Sequence, residues 1–270
     1  MQPDTITTGA AKVPKVGLGT YLLTGKEGTK SIQDALQAGY RHIDTAQAYG
    51  NEEEVGKAVK NSGISREKIF ITTKVMPANF KILTAATEVS LKRLNTDYAD
   101  LLLLHWASDD ETNKKGVDLL NEVLKKGYVI NIGVSNFTLS QIAKAFTQAP
   151  IVTDQVEYHP YLSQQKMLNY LRERNMFLTA YSPLALGKVM KDATLQVIAS
   201  RYKRTVSQVV LRWLVQQGDV AVIPKASSTE RRKENLNIFD FELADNDMEA
   251  VFRLSRNQRL ANPAWAPEWD

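Results

Sequence analysis

The sequence predicts an α/β fold, a (β/α)8 TIM barrel with an N-terminal β-hairpin and a C-terminal loop at the barrel mouth. Strand-like and helix-like segments alternate along the 270 residues, and eight segments after the hairpin are typical of strands. Residues 99–105 form a leucine-rich run, as expected of a strand buried on both faces of a parallel sheet. No linker interrupts the alternation, and α/β barrels commonly use about 200–250 residues as one domain. Residues 1–270 are therefore expected to form a single domain.

In the first half of the chain, glycines and apolar spacing define the elements. A hairpin is expected over residues 4–16, with its turn at Gly9–Ala10. Glycines make the first strand permissive to close backbone approach, and Gly39 is a natural stop for the first helix. Asn51 and Glu54 have the spacing of a capping box at the start of the second helix. The predicted strands are 16–20, 40–46, 68–74 and 99–105, and the predicted helices are 30–37, 52–60, 83–94 and 116–126.

The second half of the chain continues the same alternation. Two consecutive helices are expected before the last strand, and residues 260–270 are expected to lack regular structure. The predicted strands are 129–135, 151–158, 176–182 and 219–224, and the predicted helices are 139–146, 164–174, 194–202, 207–217 and a segment around 230–236.

Composition limits the classes of function. The net charge of +4 is mild and spread along the chain, so nucleic acid is not an expected partner. No run of about 18 apolar residues is present, so no membrane span is expected. The chain has no cysteine, which excludes disulfides and thiolate metal ligands, and no histidine pair lies on one helical turn, so no metal site is predicted. The N-terminus lacks the layout of a signal peptide, and a cytoplasmic location is expected.

Four polar side chains fall at or just beyond the carboxyl ends of predicted strands, where barrel enzymes place their active sites. They are Asp44, Tyr49, Lys74 and His105. Carbonyl reduction requires a proton donor and a group that stabilises the developing oxyanion. Lys74 would lower the pKa of the Tyr49 phenol, Asp44 would keep Lys74 charged, and His105 could donate a hydrogen bond to the carbonyl. Each residue alone could be a loop cap, a packing residue, a solvated strand end or a core histidine; their joint occurrence favours chemistry.

Several motifs in addition carry a resemblance to a known family. Residues 39–46 read Gly-Tyr-Arg-His-Ile-Asp-Thr-Ala, residues 49–52 Tyr-Gly-Asn-Glu, residues 132–137 Ile-Gly-Val-Ser-Asn-Phe, and residues 155–161 Gln-Val-Glu-Tyr-His-Pro-Tyr. Together with residues 73–74, 100–106 and 223–225, they resemble the signature of the aldo-keto reductase superfamily in the expected order. The compact length and the closing residues 266–270 resemble the bacterial 2,5-diketo-D-gluconate reductases of the B type, the methylglyoxal or aldehyde reductase type.

The resemblance implies a monomeric enzyme that reduces aldehydes and ketones with NADPH, which lies across the barrel mouth without a Rossmann domain. Tyr49 would be the proton donor. Arginine presents a planar fork to phosphate oxygens, which favours NADPH over NADH at a basic loop. Ala226 stands where many relatives carry a serine, whose hydrogen bond is either missing here or supplied by Ser227 or Ser228. The cofactor-binding residues implied by the resemblance are Ser135, Asn136, Gln155, Tyr181, Ser182, Leu184, Lys225, Ser227, Arg231, Glu234 and Asn235.

The substrate pocket is less well defined by the sequence. Small polar carbonyls are expected, such as diketo sugar acids including 2,5-diketo-D-gluconate, methylglyoxal and keto esters. Two other functions stay open: a non-catalytic NADPH-binding sensor or regulatory subunit, and a barrel aldolase that uses Lys74 to form a Schiff base. Met76 stands where many relatives have a pocket tryptophan, and Asp154 where many have an asparagine. The residues expected to line the pocket are Tyr21, Met76, His105, Trp106 and Trp265.

Overall fold

The computed structural model describes residues 4–8, 11–226 and 228–270. An antiparallel two-stranded hairpin precedes an eight-stranded parallel sheet whose neighbours follow sequence order. This arrangement confirms the predicted (β/α)8 barrel with its N-terminal hairpin, while the hairpin turn lies outside the described residues. The strands are β1 (Thr5–Thr8), β2 (Ala11–Pro14), β3 (Leu18–Gly19), β4 (His42–Asp44), β5 (Phe70–Val75), β6 (Ala99–Leu104), β7 (Val129–Ser135), β8 (Ile151–Glu157), β9 (Phe177–Tyr181) and β10 (Val220–Val222).

Helices connect the barrel strands and cover the outside of the sheet. The second and third have bounds close to those predicted, whereas the first and fourth begin five and six residues earlier. No helix in the described ranges is both long and apolar enough to cross a lipid bilayer. The helices are α1 (Gly25–Ala38), α2 (Glu52–Asn61), α3 (Leu83–Leu94), α4 (Asp110–Lys125), α5 (Leu139–Gln148), α6 (Gln165–Arg172), α7 (Ala193–Tyr202), α8 (Val206–Gln216), α9 (Thr229–Leu236) and α10 (Asp245–Phe252).

The barrel closes between its first and last strands. Val16 forms a parallel bridge with Val222, and the amide of Gly17 donates to the carbonyl oxygen of Val222 at 2.8 Å. A Cβ atom at Gly19 would lie only 2.7 Å from the carbonyl oxygen of Ile223. The seam therefore requires a residue without a side chain at this position, because any larger one would force the two strands apart.

The hairpin closes the amino-terminal end of the barrel. Ile6 and Val13 are buried with Phe70 and Phe177, which begin β5 and β9. Burial of these side chains removes apolar surface from water at one end of the strands. The opposite end, where the strands reach their carboxyl termini, is left for polar side chains.

The capping box predicted at the start of α2 is wrong. Asn51 precedes the helix, but its side chain makes no capping bond. Its amide instead donates to the carbonyl oxygens of Thr20 and Leu23, and its oxygen accepts from the hydroxyl of Thr45 at 2.7 Å. A fully buried amide gains more from satisfying three partners of neighbouring loops than from one helix-terminal amide. Asn51 therefore ties the loops after β3 and β4 together.

The last part of the chain differs from the prediction in one respect. Helix α10 was not predicted, although Asp247 within it pairs with Arg201 and accepts from the hydroxyl of Tyr202. The C-terminal tail, defined here as residues 260–270, contains no helix or strand, which confirms the sequence prediction.

Candidate active site

Asp44, Tyr49 and Lys74 meet at the carboxyl ends of β4 and β5. The ammonium of Lys74 donates to Asp44 Oδ1 at 2.5 Å, to the carbonyl oxygen of Thr45 at 2.8 Å and to Tyr49 Oη at 3.3 Å. Lys74 and Asp44 are almost completely buried, with 0% and 1% of their side chains exposed. A buried ammonium with three oxygen partners is held in one geometry, so it can stabilise negative charge at the phenol oxygen.

The electrostatics of this group correct one expectation from the sequence. Burial raises the pKa of the Tyr49 phenol and outweighs the opposing effect of Lys74, so the pKa lies above its ordinary value rather than below it. Burial would lower the pKa of Lys74, but Asp44 and Tyr49 together outweigh it and the lysine pKa is raised. At neutral pH the site therefore holds a protonated phenol beside a protonated amine.

His105 lies directly beyond β6 and faces the same phenol. Its ring and the Tyr49 ring are edge to face, with centroids 5.6 Å apart. Burial, and to a lesser extent the charge of Lys74, holds the pKa of His105 well below its ordinary value, so the imidazole is neutral. Its Nδ1 atom is buried and has no hydrogen-bond partner among the described residues. A neutral imidazole can donate one hydrogen bond without placing a second cation beside Lys74.

The ends of β7, β8 and β9 add a polar network around these groups. Asn136 has a left-handed backbone with φ of 60°, and its amide donates to the carbonyl oxygen of His105 at 3.1 Å. Tyr181 donates to Asn136 Oδ1 at 2.8 Å, and Ser135 Oγ donates to the backbone oxygen of Gln155 at 2.8 Å. These four residues are the ones that the family resemblance assigns to the nicotinamide end of a cofactor, and the barrel brings them together.

Gln155 has a further contact that was not predicted. Its amide nitrogen donates to Asp44 Oδ2 at 2.8 Å, so each oxygen of that carboxylate has a partner. Strand β8 thereby fixes the carboxylate that holds Lys74. Residue spacing could not reveal this bond, because Gln155 and Asp44 lie 111 positions apart in the sequence.

The segments expected to contact the rest of a cofactor lie in two loops. After β9, Ser182 has a φ of 47° and is partly exposed, as is Leu184. After β10, Lys225 and Arg231 are exposed, and among the described residues neither side chain has an ion-pair or hydrogen-bond partner. Their charges flank the amino terminus of α9, where unpaired backbone amides favour anions.

The remaining residues of this loop differ in exposure. Ser228 caps α9 by accepting from the amide of Arg231 at 3.3 Å, and Glu234 is partly exposed. Asn235 is buried with only 3% of its surface exposed, and Ser227 lies outside the described residues. Arg232 is also buried and donates to the backbone oxygen of Ala226 at 3.1 Å, so it holds the loop rather than facing solvent.

Aromatic side chains surround the opening above the phenol. Tyr21 is 56% exposed and its ring centroid lies 5.1 Å from that of Tyr49. Trp106 and Trp265 pack edge to face with centroids 4.8 Å apart. Trp269 also packs on Trp106, at 6.2 Å, and was not predicted. Met76 is partly buried at the end of β5. The sequence signal for Trp269 was present, since two tryptophans lie close together in an otherwise irregular tail.

Comparison with known proteins agrees with this geometry. Residues 15–256 match the model of the family described as Aldo/keto reductase family. Glyoxal reductase of Bacillus subtilis is 40% identical over 258 residues, which are 93% of this chain and 93% of that protein. Methylglyoxal reductase DkgB of Escherichia coli O157:H7 is 38% identical over 267 residues, which are 96% of this chain and 99% of that protein.

Solved structures give the same result. A structure provisionally assigned as a 2,5-diketo-D-gluconic acid reductase B is 46% identical, with a TM-score of 0.96 over 98% of this chain and 97% of that chain. The aldo/keto reductase from Brucella melitensis is 36% identical, with a TM-score of 0.88 over 93% of this chain and 99% of that chain.

Proposed function

The chain belongs to the aldo/keto reductase family, oxidoreductases that act on carbonyl groups, and on that premise we propose that it reduces small aldehydes and ketones with NADPH. The observation that carries this proposal is the contact of the Lys74 ammonium with both Asp44 Oδ1 and Tyr49 Oη. This arrangement supports Tyr49 as a proton donor, because the Lys74 ammonium would stabilise the phenolate that forms when Tyr49 loses its proton.

The proton comes from Tyr49 Oη in this mechanism. When bound, NADPH supplies the hydride that reduces the carbonyl carbon. Because the pKa of Tyr49 is raised, the phenol is protonated at neutral pH and can donate to the carbonyl oxygen. Lys74 then stabilises the phenolate, while Asp44 and the Thr45 carbonyl keep Lys74 in place. Neutral His105 donates a hydrogen bond to the same substrate oxygen and orients it.

The hydrogen-bond donors and positive charges of the loop after β10 fit the 2′-phosphate that distinguishes NADPH from NADH. Lys225 and Arg231 are both cationic and exposed beside the amino terminus of α9. Phosphate oxygens are matched by a guanidinium fork and by helix amides. Ser135, Asn136, Gln155 and Tyr181 would hold the nicotinamide end in this proposal. The preference for NADPH over NADH is thus supported by the charges of Lys225 and Arg231, whereas the hydrogen-bonding groups at the nicotinamide end suit either cofactor.

The Schiff-base alternative is disfavoured by the state of Lys74. A lysine that attacks a carbonyl must be neutral, which requires a lowered pKa. The carboxylate of Asp44 instead raises the lysine pKa, and the ammonium hydrogens are directed at three oxygens. Lys74 is therefore suited to electrostatic stabilisation rather than to nucleophilic attack.

The proposed substrate class rests on the names of the relatives. Those relatives are called reductases of glyoxal, methylglyoxal and 2,5-diketo-D-gluconic acid. We propose the same class of small dicarbonyls and keto sugar acids for this chain. Its monomeric state, cytoplasmic location and single-domain organisation over residues 1–270 stay predictions.

The decisive experiment is the decay of NADPH absorbance with the purified protein. Methylglyoxal, 2,5-diketo-D-gluconate and an aromatic aldehyde are offered separately, with NADH in parallel. Turnover with a preference for NADPH is the expected result. Binding of NADPH without turnover of any carbonyl would favour the sensor, and a lack of both binding and turnover would contradict the proposal altogether.

A further inference from the structure

A buried carboxylate lies at the carboxyl end of β8, and it does not belong to the predicted catalytic group of Asp44, Tyr49, Lys74 and His105. Glu157 is fully buried and follows Gln155 by two residues on the same strand. Since side chains alternate along a strand, Glu157 and Gln155 project to the same side. Gln155 contacts Asp44, so Glu157 lies on the barrel-lining face, nearer the mouth.

This carboxylate is satisfied by the C-terminal tail. Oε1 accepts from the amide of Leu260 at 2.8 Å, and Oε2 accepts from the amide of Ala261 at 2.7 Å. His159 Nε2 lies 2.7 Å from Oε1. Burial would raise the pKa of Glu157, but these hydrogen bonds outweigh it and the pKa lies below the ordinary value. A buried anion without such donors is costly, so the charge favours a docked tail.

The same tail delivers two aromatic rings to the opening. Trp265 and Trp269 pack on Trp106, which directly follows His105. Because residues 260–270 form no helix or strand, the position of these rings depends on side-chain anchors. Asp270 supplies the anchor at the far end, where its Oδ2 accepts from the amide of Leu139 at 2.7 Å.

We propose that Glu157 is a positioning residue that sets substrate affinity through the tail. By holding the amides of Leu260 and Ala261, its carboxylate keeps Trp265 against Trp106. Carbonyl substrates with an extended or aromatic group contact the wall that Trp106 and Trp265 form. Methylglyoxal is too small to contact these rings, so its binding does not depend on them. The inference rests on the proposed function, because it requires reduction to occur at Tyr49 below the opening.

Two variants test the contact from opposite sides. Glu157→Ala removes the acceptor, and Ala261→Pro removes one donated amide while leaving the barrel carboxylate untouched. In both, the KM for 4-nitrobenzaldehyde is expected to rise about tenfold, the effect of losing a hydrogen bond to a charged group. The kcat for that aldehyde and the KM for methylglyoxal are expected to change by less than about twofold on the same argument.

Two further variants separate positioning from general damage. Glu157→Gln keeps one acceptor oxygen and is expected to give a KM between wild type and Glu157→Ala. Ala261→Ser keeps the amide and is expected to behave as wild type. Docking is read independently by acrylamide quenching of tryptophan fluorescence, which should increase in Ala261→Pro and not in Ala261→Ser.

Two kinetic outcomes would overturn the inference. One is an unchanged KM for the aromatic aldehyde in folded Glu157→Ala and Ala261→Pro. The other is an equal rise of KM for both substrates, since the wall would then have no selective effect. A wild-type protein that turns over no carbonyl would instead defeat the proposed function, and unchanged quenching in Ala261→Pro would still show that the contact does not dock the tail.

Discussion

The region around Lys74 and the region around Arg231 differ in how firmly the fold holds their charges. Lys74 is fully buried and donates to three oxygens from the end of β4 and the loop after it. Arg231 is exposed, and its side chain has no hydrogen-bond partner among the described residues. A charge of the first kind is coupled to the stability of the protein, whereas one of the second kind is available to a ligand. Substitutions in the two regions should therefore change different quantities.

The largest effect is expected on kcat, at Tyr49, which lies between the buried charges and the bound substrate. Tyr49→Phe removes only the phenol oxygen, so the ring contacts with Tyr21 and His105 can persist. Loss of the proton donor is expected to reduce kcat by about 10²- to 10⁴-fold. The Kd for NADPH, measured by fluorescence titration, should stay close to the wild-type value. Wild-type turnover in this variant would contradict the assignment of Tyr49.

The second prediction concerns stability in the buried region. Lys74→Met leaves Asp44 buried without its cation, which is expected to lower the free energy of unfolding by about 3–5 kcal/mol. Urea denaturation followed by circular dichroism measures this loss. The double variant Asp44→Asn with Lys74→Met is the control, because it removes both charges and should recover part of the loss. If Lys74→Met alone were as stable as wild type, the ion pair would not be coupled to folding.

The third prediction concerns the exposed region. Arg231→Ala should leave the free energy of unfolding nearly unchanged and raise the KM for NADPH roughly three- to tenfold, since an exposed cation contributes modestly. The KM for NADH should not change, because NADH has no 2′-phosphate. Lys233→Ala is the matched control, since Lys233 is an exposed cation on the same helix. An equal effect of both variants would indicate only general attraction of the anionic cofactor.

The sequence predicted the fold far better than it predicted individual contacts. The bounds of α3 and β7 were predicted without error, because apolar residues recur along α3 up to Leu94 and β-branched residues recur along β7 up to Val134. Helix α10 was missed because its fold-stabilising pairs, Asp247 with Arg201 and Tyr202, join distant parts of the chain. Local patterns carry no record of such tertiary partners.

The same distinction applies to the candidate site. Strand ends at Asp44 and Lys74 predicted that the two side chains would meet, whereas the bonds of Gln155 to Asp44 and of Glu157 to the tail required the three-dimensional structure. Asn51 was assigned to a helix cap because its spacing fits one, but burial gave it partners in the loop after β3 and in its own loop after β4. Burial also reversed the expected direction of the Tyr49 pKa. Sequence indicates which groups converge, and packing determines how they are charged.

The smallest predicted effect also depends on burial, and it concerns His105. Its folded-state pKa lies well below the unfolded value of about 6.5, so the unfolded state binds more protons below that pH. The corresponding stability is present above about pH 6.5 and is lost as the pH falls. Lowering the pH from 7.5 to 5.5 should therefore cost wild type about 1 kcal/mol more than it costs His105→Gln.

Comparison of the two proteins by urea denaturation at both pH values isolates this contribution. Other groups that titrate in the same range, including buried His42, whose pKa burial also lowers, are common to both proteins and cancel in the difference. Equal pH dependence in wild type and His105→Gln would mean that His105 gains its proton as readily in the fold as outside it. The histidine would then be a second cation beside Lys74 at mildly acid pH, and the neutral hydrogen-bond donor assigned to it would have to be abandoned.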